Sequence, residues 1–125
     1  MDNQKLTATQ RENLAIEIIK YLVKRDLFYD ICIYINNQRW STNKKDNATE
    51  KRISDKTTVY VENNIDVLDY IVYGNPETIT VSFEGPLYHE INYGSAKAVT
   101  DINKILDKYG MYLEQGYAWT FAAYF

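Results

Sequence analysis

Apolar residues recur along this chain at two different spacings, and the switch between them limits the fold to a mixture of helices and strands. Between residues 10 and 24, and again between residues 96 and 109, they fall three and four positions apart, as on one buried helix face. Several of the segments between these two alternate apolar and polar residues, which is the pattern of a half-buried strand. A sheet covered by amphipathic helices satisfies both patterns.

The first helix is predicted to begin with a capping box. Thr9 and Glu12 have the spacing at which a hydroxyl accepts from an amide of the first turn while the carboxylate reaches back to the cap. The helix is expected to end near Arg25 and Asp26.

The run from Leu27 to Ile35 is dense in β-branched and aromatic residues and predicts a central strand. Asn36-Asn37 can supply the positive φ angles of a tight hairpin, so residues 38–41 are expected to return antiparallel to this strand. The polar stretch 42–56, with few apolar side chains, is interpreted as the longest loop of the chain.

Alternation predicts further strands at 57–62 and 78–83, and an extended C-terminal segment at 111–125. Gly116 is either a hairpin turn, which adds a sixth strand, or a bulge inside one long strand. The bulge is preferred because only Glu114-Gln115-Gly116 is available for a turn. Short helices are predicted from Asn64 to Ile71 and from Leu87 to Tyr93.

These elements predict a single α+β domain over residues 1–125. Its sheet is expected to be mostly antiparallel, with five to six strands, and with the helices packed on one face. The composition agrees with a folded domain, because 46% of the 125 residues are hydrophobic and 25% are charged.

The only cysteine, Cys32, rules out an internal disulfide and is expected to be a buried small hydrophobe. Nothing near the N-terminus resembles an export signal, and no stretch of about eighteen apolar residues occurs. We therefore expect a cytoplasmic protein without membrane contact. Abundant Asn, Ile, Lys and Tyr is typical of AT-rich codons and suggests a bacterial source.

Charge is distributed unevenly about a net value of −3. Residues 1–59 hold eleven Lys and Arg against eight Asp and Glu, whereas residues 60–125 hold three against nine. The acidic half is able to face a basic partner, or the two halves complement each other within the fold.

His89 is the one histidine and the candidate for acid–base catalysis, with Glu84 or Glu90 as its orienting carboxylate in a cleft near Gly85-Pro86. Neighbouring residues on a helix point about 100° apart, so His89 and Glu90 are not expected to face each other. The residue types and spacings predict no metal site and no cofactor, because the five glycines are isolated and one His with one Cys gives no ligand set.

Basic residues are interspersed with acidic ones from Arg39 to Lys56, with Trp40 at the start of this stretch. Basic side chains beside an aromatic ring are able to grip single-stranded nucleic acid. The interleaved acids and the acidic net charge favour a solvated loop instead, so a nucleic-acid partner is not expected.

Tyrosine makes up twelve of the residues, which indicates either a tyrosine-rich core and rim or a contact surface. The candidate binding residues are those that lie among the carboxylates of the second half: Tyr70, Tyr73, Tyr88, Tyr93 and Tyr112. On one surface they form an aromatic patch with an acidic rim, as in protein interfaces. Without catalytic motifs, the sequence favours a non-enzymatic protein-binding or self-associating module over an enzyme.

Overall fold

The structure, a computed structural model, describes residues 5–125 and contains three α-helices and seven strands in that range. The helices are α1 (Ala8–Lys24), α2 (Gly85–Tyr93) and α3 (Lys97–Asp107). The strands are β1 (Ile31–Ile35), β2 (Gln38–Ser41), β3 (Thr49–Ser54), β4 (Thr57–Asn63), β5 (Thr80–Phe83), β6 (Tyr112–Gln115) and β7 (Thr120–Tyr124). Within residues 5–125, no helix has the length and apolar character needed to cross a bilayer.

All neighbouring strands are antiparallel, in the order β3-β4-β2-β1-β5-β7-β6. The predicted central strand is confirmed, since β1 has three strands on each side. It starts at Ile31 rather than Leu27 because Asp26 and Asp30, with φ of 56° and 55°, turn the chain between α1 and β1. Asn36 and Asn37, with φ of 52° and 56°, form the predicted hairpin turn.

The expected count of five to six strands is too low, because it omits β3. This strand lies inside the predicted loop 42–56 and pairs with β4 only, at the edge of the sheet. Its sequence, Thr-Glu-Lys-Arg-Ile-Ser, has little apolar character. An edge strand forms through backbone hydrogen bonds and needs no apolar side chains, so hydrophobic periodicity misses it.

The interpretation of Gly116 as a bulge is wrong, because the chain turns there and β6 and β7 form a hairpin. The Gly116 amide donates to the Thr120 carbonyl at 3.2 Å, and the Thr120 amide donates to the Tyr117 carbonyl at 3.1 Å. A Cβ atom on Gly116 would lie 2.9 Å from Cβ of Tyr73, so the glycine permits a close approach at this turn.

The capping box of α1 is present, but at Thr7 and Gln10 rather than at Thr9 and Glu12. The Gln10 amide donates to Thr7 Oγ1 at 3.1 Å, and the Thr7 amide donates to Gln10 Oε1 at 2.9 Å. Glu12 instead forms an ion pair with Lys51 at 3.0 Å, which links α1 to β3.

The predicted helix from Asn64 to Ile71 is reduced to one 3₁₀ turn, Val67–Asp69. Asn64 has a φ of 58°, which is left-handed, and Asp66 caps the turn by accepting from the Leu68 amide at 3.0 Å. The segment 64–79 therefore crosses from β4 to β5 mostly without regular structure.

The apolar faces of the two predicted amphipathic helices pack in one core with the sheet, as expected. From the helices this core takes Leu14, Ala15, Ile18, Ile19, Leu22, Leu87, Ala98, Ile102 and Leu106. From the central strands it takes Ile31, Ile33, Ile35, Val81, Phe83, Phe121 and Ala123. Fully burying one such aliphatic or aromatic side chain contributes about 1.5–3 kcal/mol, so this layer is the main source of stability.

The opposite side of the sheet, here called the outer face, has a much smaller buried cluster. It consists of Tyr34 on β1 together with Val67 and Ile71 of the crossing segment. This cluster covers only part of the outer face, and the β5-β7-β6 side carries exposed aromatic residues.

Candidate functional site

Five aromatic side chains on the outer face form one connected group, here called the aromatic surface: Tyr73, Tyr112, Tyr117, Trp119 and Tyr124. Tyr117 and Trp119 stack with centroids 5.0 Å apart and planes 6° from parallel. The Tyr73 ring lies 5.1 Å from the Tyr117 ring. Trp119 and Tyr117 are 39% and 36% exposed, so the stack is open to solvent on its outer side.

The second half of the aromatic surface lies on the β6–β7 hairpin. The rings of Tyr112 and Tyr124, which are paired across the two strands, have centroids 6.3 Å apart. The Tyr124 hydroxyl donates to the Tyr73 carbonyl at 3.2 Å, which joins the hairpin to the crossing segment. Desolvation, with the nearby carboxylate of Glu114, raises the pKa of Tyr124, so this hydroxyl stays neutral at physiological pH.

A shallow cavity of about 230 Å³ opens in the middle of the aromatic surface. Its lining includes Tyr73, Tyr124, Glu114 and Gly116, so a carboxylate lies among the rings. Side chains that combine large apolar area with a polar tip and few rotatable bonds are typical of protein contact sites.

The turn that presents Tyr117 and Trp119 is held by several hydrogen bonds. The Tyr117 amide donates to Thr120 Oγ1 at 2.8 Å. The Ala118 carbonyl accepts from Asn92 of α2 at 2.7 Å and from Gln115 at 3.0 Å. Tyr117, Trp119 and Phe121 alternate along the sequence, but only Phe121 enters the core, because the turn directs the other two away from it.

The five tyrosines predicted as binding residues fall into three groups. Tyr73 and Tyr112 belong to the aromatic surface. Tyr70 lies against residues of β1 and β2, 6.2 Å from the Tyr34 ring and 4.6 Å from the Arg39 guanidinium. Tyr88 and Tyr93 lie on α2, with rings 6.1 Å apart. The sequence missed Tyr117, Trp119 and Tyr124; a turn at Gly116 was the signal that would have found them.

His89 is exposed on α2 and lies among aromatic rings, 5.9 Å from Tyr88 and 6.0 Å from Tyr93. Glu90 points elsewhere and receives two hydrogen bonds from Arg25, at 2.8 and 2.9 Å. Glu84 is exposed just before α2. Among the described residues, no hydrogen bond joins His89 to either carboxylate, so the structure does not assemble the predicted acid–base group.

The basic stretch from Arg39 to Lys56 is partly neutralised within the fold. Arg39 donates to both oxygens of Glu62, at 2.9 and 3.0 Å, and these bonds lower the pKa of Glu62. Trp40 is only 2% exposed, so its ring is not open to stack on a base. Two groups on which the nucleic-acid alternative depended are therefore not free to contact a nucleic acid: Arg39 is bonded to Glu62, and Trp40 is buried.

Cys32 lies on the outer face and is half-buried, with Sγ 3.7 Å from Oγ of Ser41. The expectation of a core position is wrong, because odd-numbered residues of β1 face the helices and Cys32 faces the other way. Within residues 5–125, no three His, Cys, Asp or Glu side chains are grouped as metal ligands.

Comparisons of the chain with protein-family models, with curated proteins and with solved structures found no match.

Proposed function

We propose that the protein is a non-enzymatic protein-binding module that docks a partner on its aromatic surface. The observation that carries this proposal is the connected group of four tyrosines and one tryptophan at and beside the β6–β7 hairpin, all of which are exposed except the half-buried Tyr124. Tyr and Trp are enriched in protein interfaces and dominate their binding energy, because a rigid ring buries much area at little entropic cost.

The way in which the rings are held also supports the proposal. The turn at Gly116 is fixed by backbone bonds and by Asn92, and Tyr124 is fixed to the crossing segment. A surface that is ordered before the partner arrives loses less conformational entropy on binding, which favours affinity.

The test is capture of partners from the native cell with a tagged chain. The double variant Tyr117→Ala/Trp119→Ala removes the stacked pair, and Tyr93→Ala removes an exposed ring on α2 as a control. We expect the control to capture the same proteins as the wild-type chain. The double variant is expected to capture at least about tenfold less of them, since truncating interface aromatics costs about 2 kcal/mol or more.

Sedimentation over a range of concentrations accompanies the capture, because a second copy of the chain is the other occupant that this proposal allows. Self-association abolished by the double variant supports the self-associating form of the module. A chain that stays monomeric, and whose captured proteins are the same for all three forms, contradicts the proposal.

A further inference from the structure

We infer that the partner presents an arginine-bearing basic segment, and that a cleft beside Trp119 receives its guanidinium group. This inference rests on the proposed function and names the class of partner. The cleft, here called the acidic cleft, has a volume of about 240 Å³ and adjoins the aromatic surface through Trp119. Its lining includes Asp30, Cys32, Asn43, Ser82, Glu84 and Trp119.

The acidic cleft follows directly from the strand order. Cys32 and Ser82 are paired neighbours on β1 and β5, and both side chains point to the outer face. Asn43, from the loop after β2, and Trp119, from the turn before β7, complete the lining. The lining therefore combines the polar side chains of Ser82 and Asn43 with an indole ring.

Two carboxylates, Asp30 and Glu84, lie next to each other in this lining. The Glu84 amide donates to the Asp30 carbonyl at 3.0 Å, which keeps the two residues adjacent. Both residues are exposed, and within residues 5–125 neither forms an ion pair. The polar contact found for the Asp30 carboxylate is a long one, 3.5 Å from Asn43 Nδ2.

Positive charge near the acidic cleft comes from the first half of the chain, because Lys44 and Lys45 follow Asn43 and because Lys56 lines a neighbouring cavity together with Asp30 and Asn43. The sequence contains no Lys or Arg from Tyr60 to Ala96 or from Tyr109 to Phe125. Of the lysines that follow Asn43, Lys45 acts on Glu62 of β4 and helps to lower its pKa. An external cation meets two unpaired carboxylates and an aromatic wall.

Arginine fits this arrangement better than lysine or a second copy of the chain. Its planar guanidinium stacks on an indole face and donates parallel hydrogen bonds to a carboxylate. A symmetric contact between two copies would bring the carboxylates of both acidic clefts together, which like-charge repulsion disfavours. Charge complementarity thus selects a basic partner.

The test uses capped heptapeptides of the form Gly-Xaa-Gly-Xaa-Gly-Xaa-Gly, in which Xaa is arginine, lysine or the neutral isostere citrulline. Binding is followed by NMR at the indole N–H groups, which are distinguishable because Trp40 is buried and Trp119 is exposed. We expect the arginine peptide to shift Trp119 and the amides of Cys32 and Ser82, the lysine peptide to bind more weakly, and the citrulline peptide not to bind.

The double variant Asp30→Asn/Glu84→Gln is expected to weaken binding of the arginine peptide by about tenfold or more. Asparagine tolerates the left-handed φ of 55° at Asp30, so the fold is retained. Glu50→Gln/Asp55→Asn is the control, because it removes the same charge from exposed positions around the β3–β4 hairpin.

Equal binding to the wild-type chain and to Asp30→Asn/Glu84→Gln overturns the inference, as does binding of the citrulline peptide. The class of partner and the proposed function are tested independently of each other. If capture from the cell depends on Tyr117 and Trp119 but no arginine peptide shifts Trp119, the partner class is wrong and the module stands. If capture does not depend on those rings, the proposed function itself fails.

Discussion

At the scale of single residues, the same side chain takes opposite roles according to the face it occupies. Trp40 on β2 faces the helices and lies in the core, whereas Trp119 in the β6–β7 turn is exposed and stacked on Tyr117. The proposed binding role therefore falls to Trp119, whereas Trp40 stabilises the core. Adjacent residues on α1 show the same contrast, since Leu22 is fully buried and Val23 is exposed.

Leu22→Ala is expected to lower the free energy of unfolding by about 2–5 kcal/mol, because it removes buried methyl groups and leaves a cavity. Val23→Ala, the matched control one position away, is expected to change it by less than about 0.5 kcal/mol. Urea unfolding of both variants measures the difference. Equal, small changes in the free energy of unfolding would mean that α1 does not bury its predicted apolar face.

The ion pair between Arg39 and Glu62 makes stability depend on pH. Because the pKa of Glu62 is lowered in the folded state, the pair stabilises fully above the ordinary pKa of 4.5, and this contribution is lost as the pH falls through the folded value. We expect the stability difference between the wild-type chain and Glu62→Gln to be larger at about pH 7 than at about pH 3. Urea unfolding at both values measures this difference.

Glu50→Gln is the control for that comparison, since Glu50 is exposed on β3 and makes no ion pair among residues 5–125. The difference in stability between Glu50→Gln and the wild-type chain is expected to stay nearly constant with pH. A difference for Glu62→Gln that does not shrink in acid would show that the pair is not formed in solution.

At the scale of elements, the edge strands need protection that the sequence pattern does not reveal. The outward Leu113 amide of β6 donates to Asn103 Oδ1 of α3 at 2.7 Å. A helix side chain thus occupies a backbone donor that would otherwise be free at the sheet edge, which limits pairing with other chains.

Asn103→Ala is expected to destabilise the fold by about 1 kcal/mol relative to Asn13→Ala, and to speed hydrogen exchange at the Leu113 amide. Asn13 is an exposed residue of α1, so the control carries the same change in helix propensity without the lost bond. Unchanged exchange at Leu113 would show that Asn103 does not protect this edge.

Periodicity was enough to predict the buried elements but not the edges and turns. α1, α3 and β1 have strong apolar patterns, and each lies close to its predicted position. The edge strand β3 has no such pattern, and at Gly116 the chain turns close to Tyr73, a residue that is remote in sequence. Because a bulge was preferred over a turn, Tyr117, Trp119 and Tyr124 were not among the predicted binding residues.

At the scale of the whole molecule, the fold separates a side of the sheet that is buried under helices from a side that carries exposed aromatic rings. The three helices cover one face of the sheet, and the lysines of the second half, Lys97, Lys104 and Lys108, all lie on or directly after α3. The β5-β7-β6 side of the outer face is left aromatic and acidic. The uneven charge noted in the sequence is therefore also uneven in space, which supports a basic partner.

Hydrogen exchange of the chain, with and without a partner captured from the cell, distinguishes docking on the aromatic surface from docking elsewhere. We expect the partner to slow exchange in the β6–β7 hairpin, residues 112–124, and in the crossing segment around Tyr73. The β3–β4 hairpin should exchange as before. Protection confined to α2 around His89, or to residues 39–56, would show that the partner docks away from the aromatic surface and would overturn the proposed function.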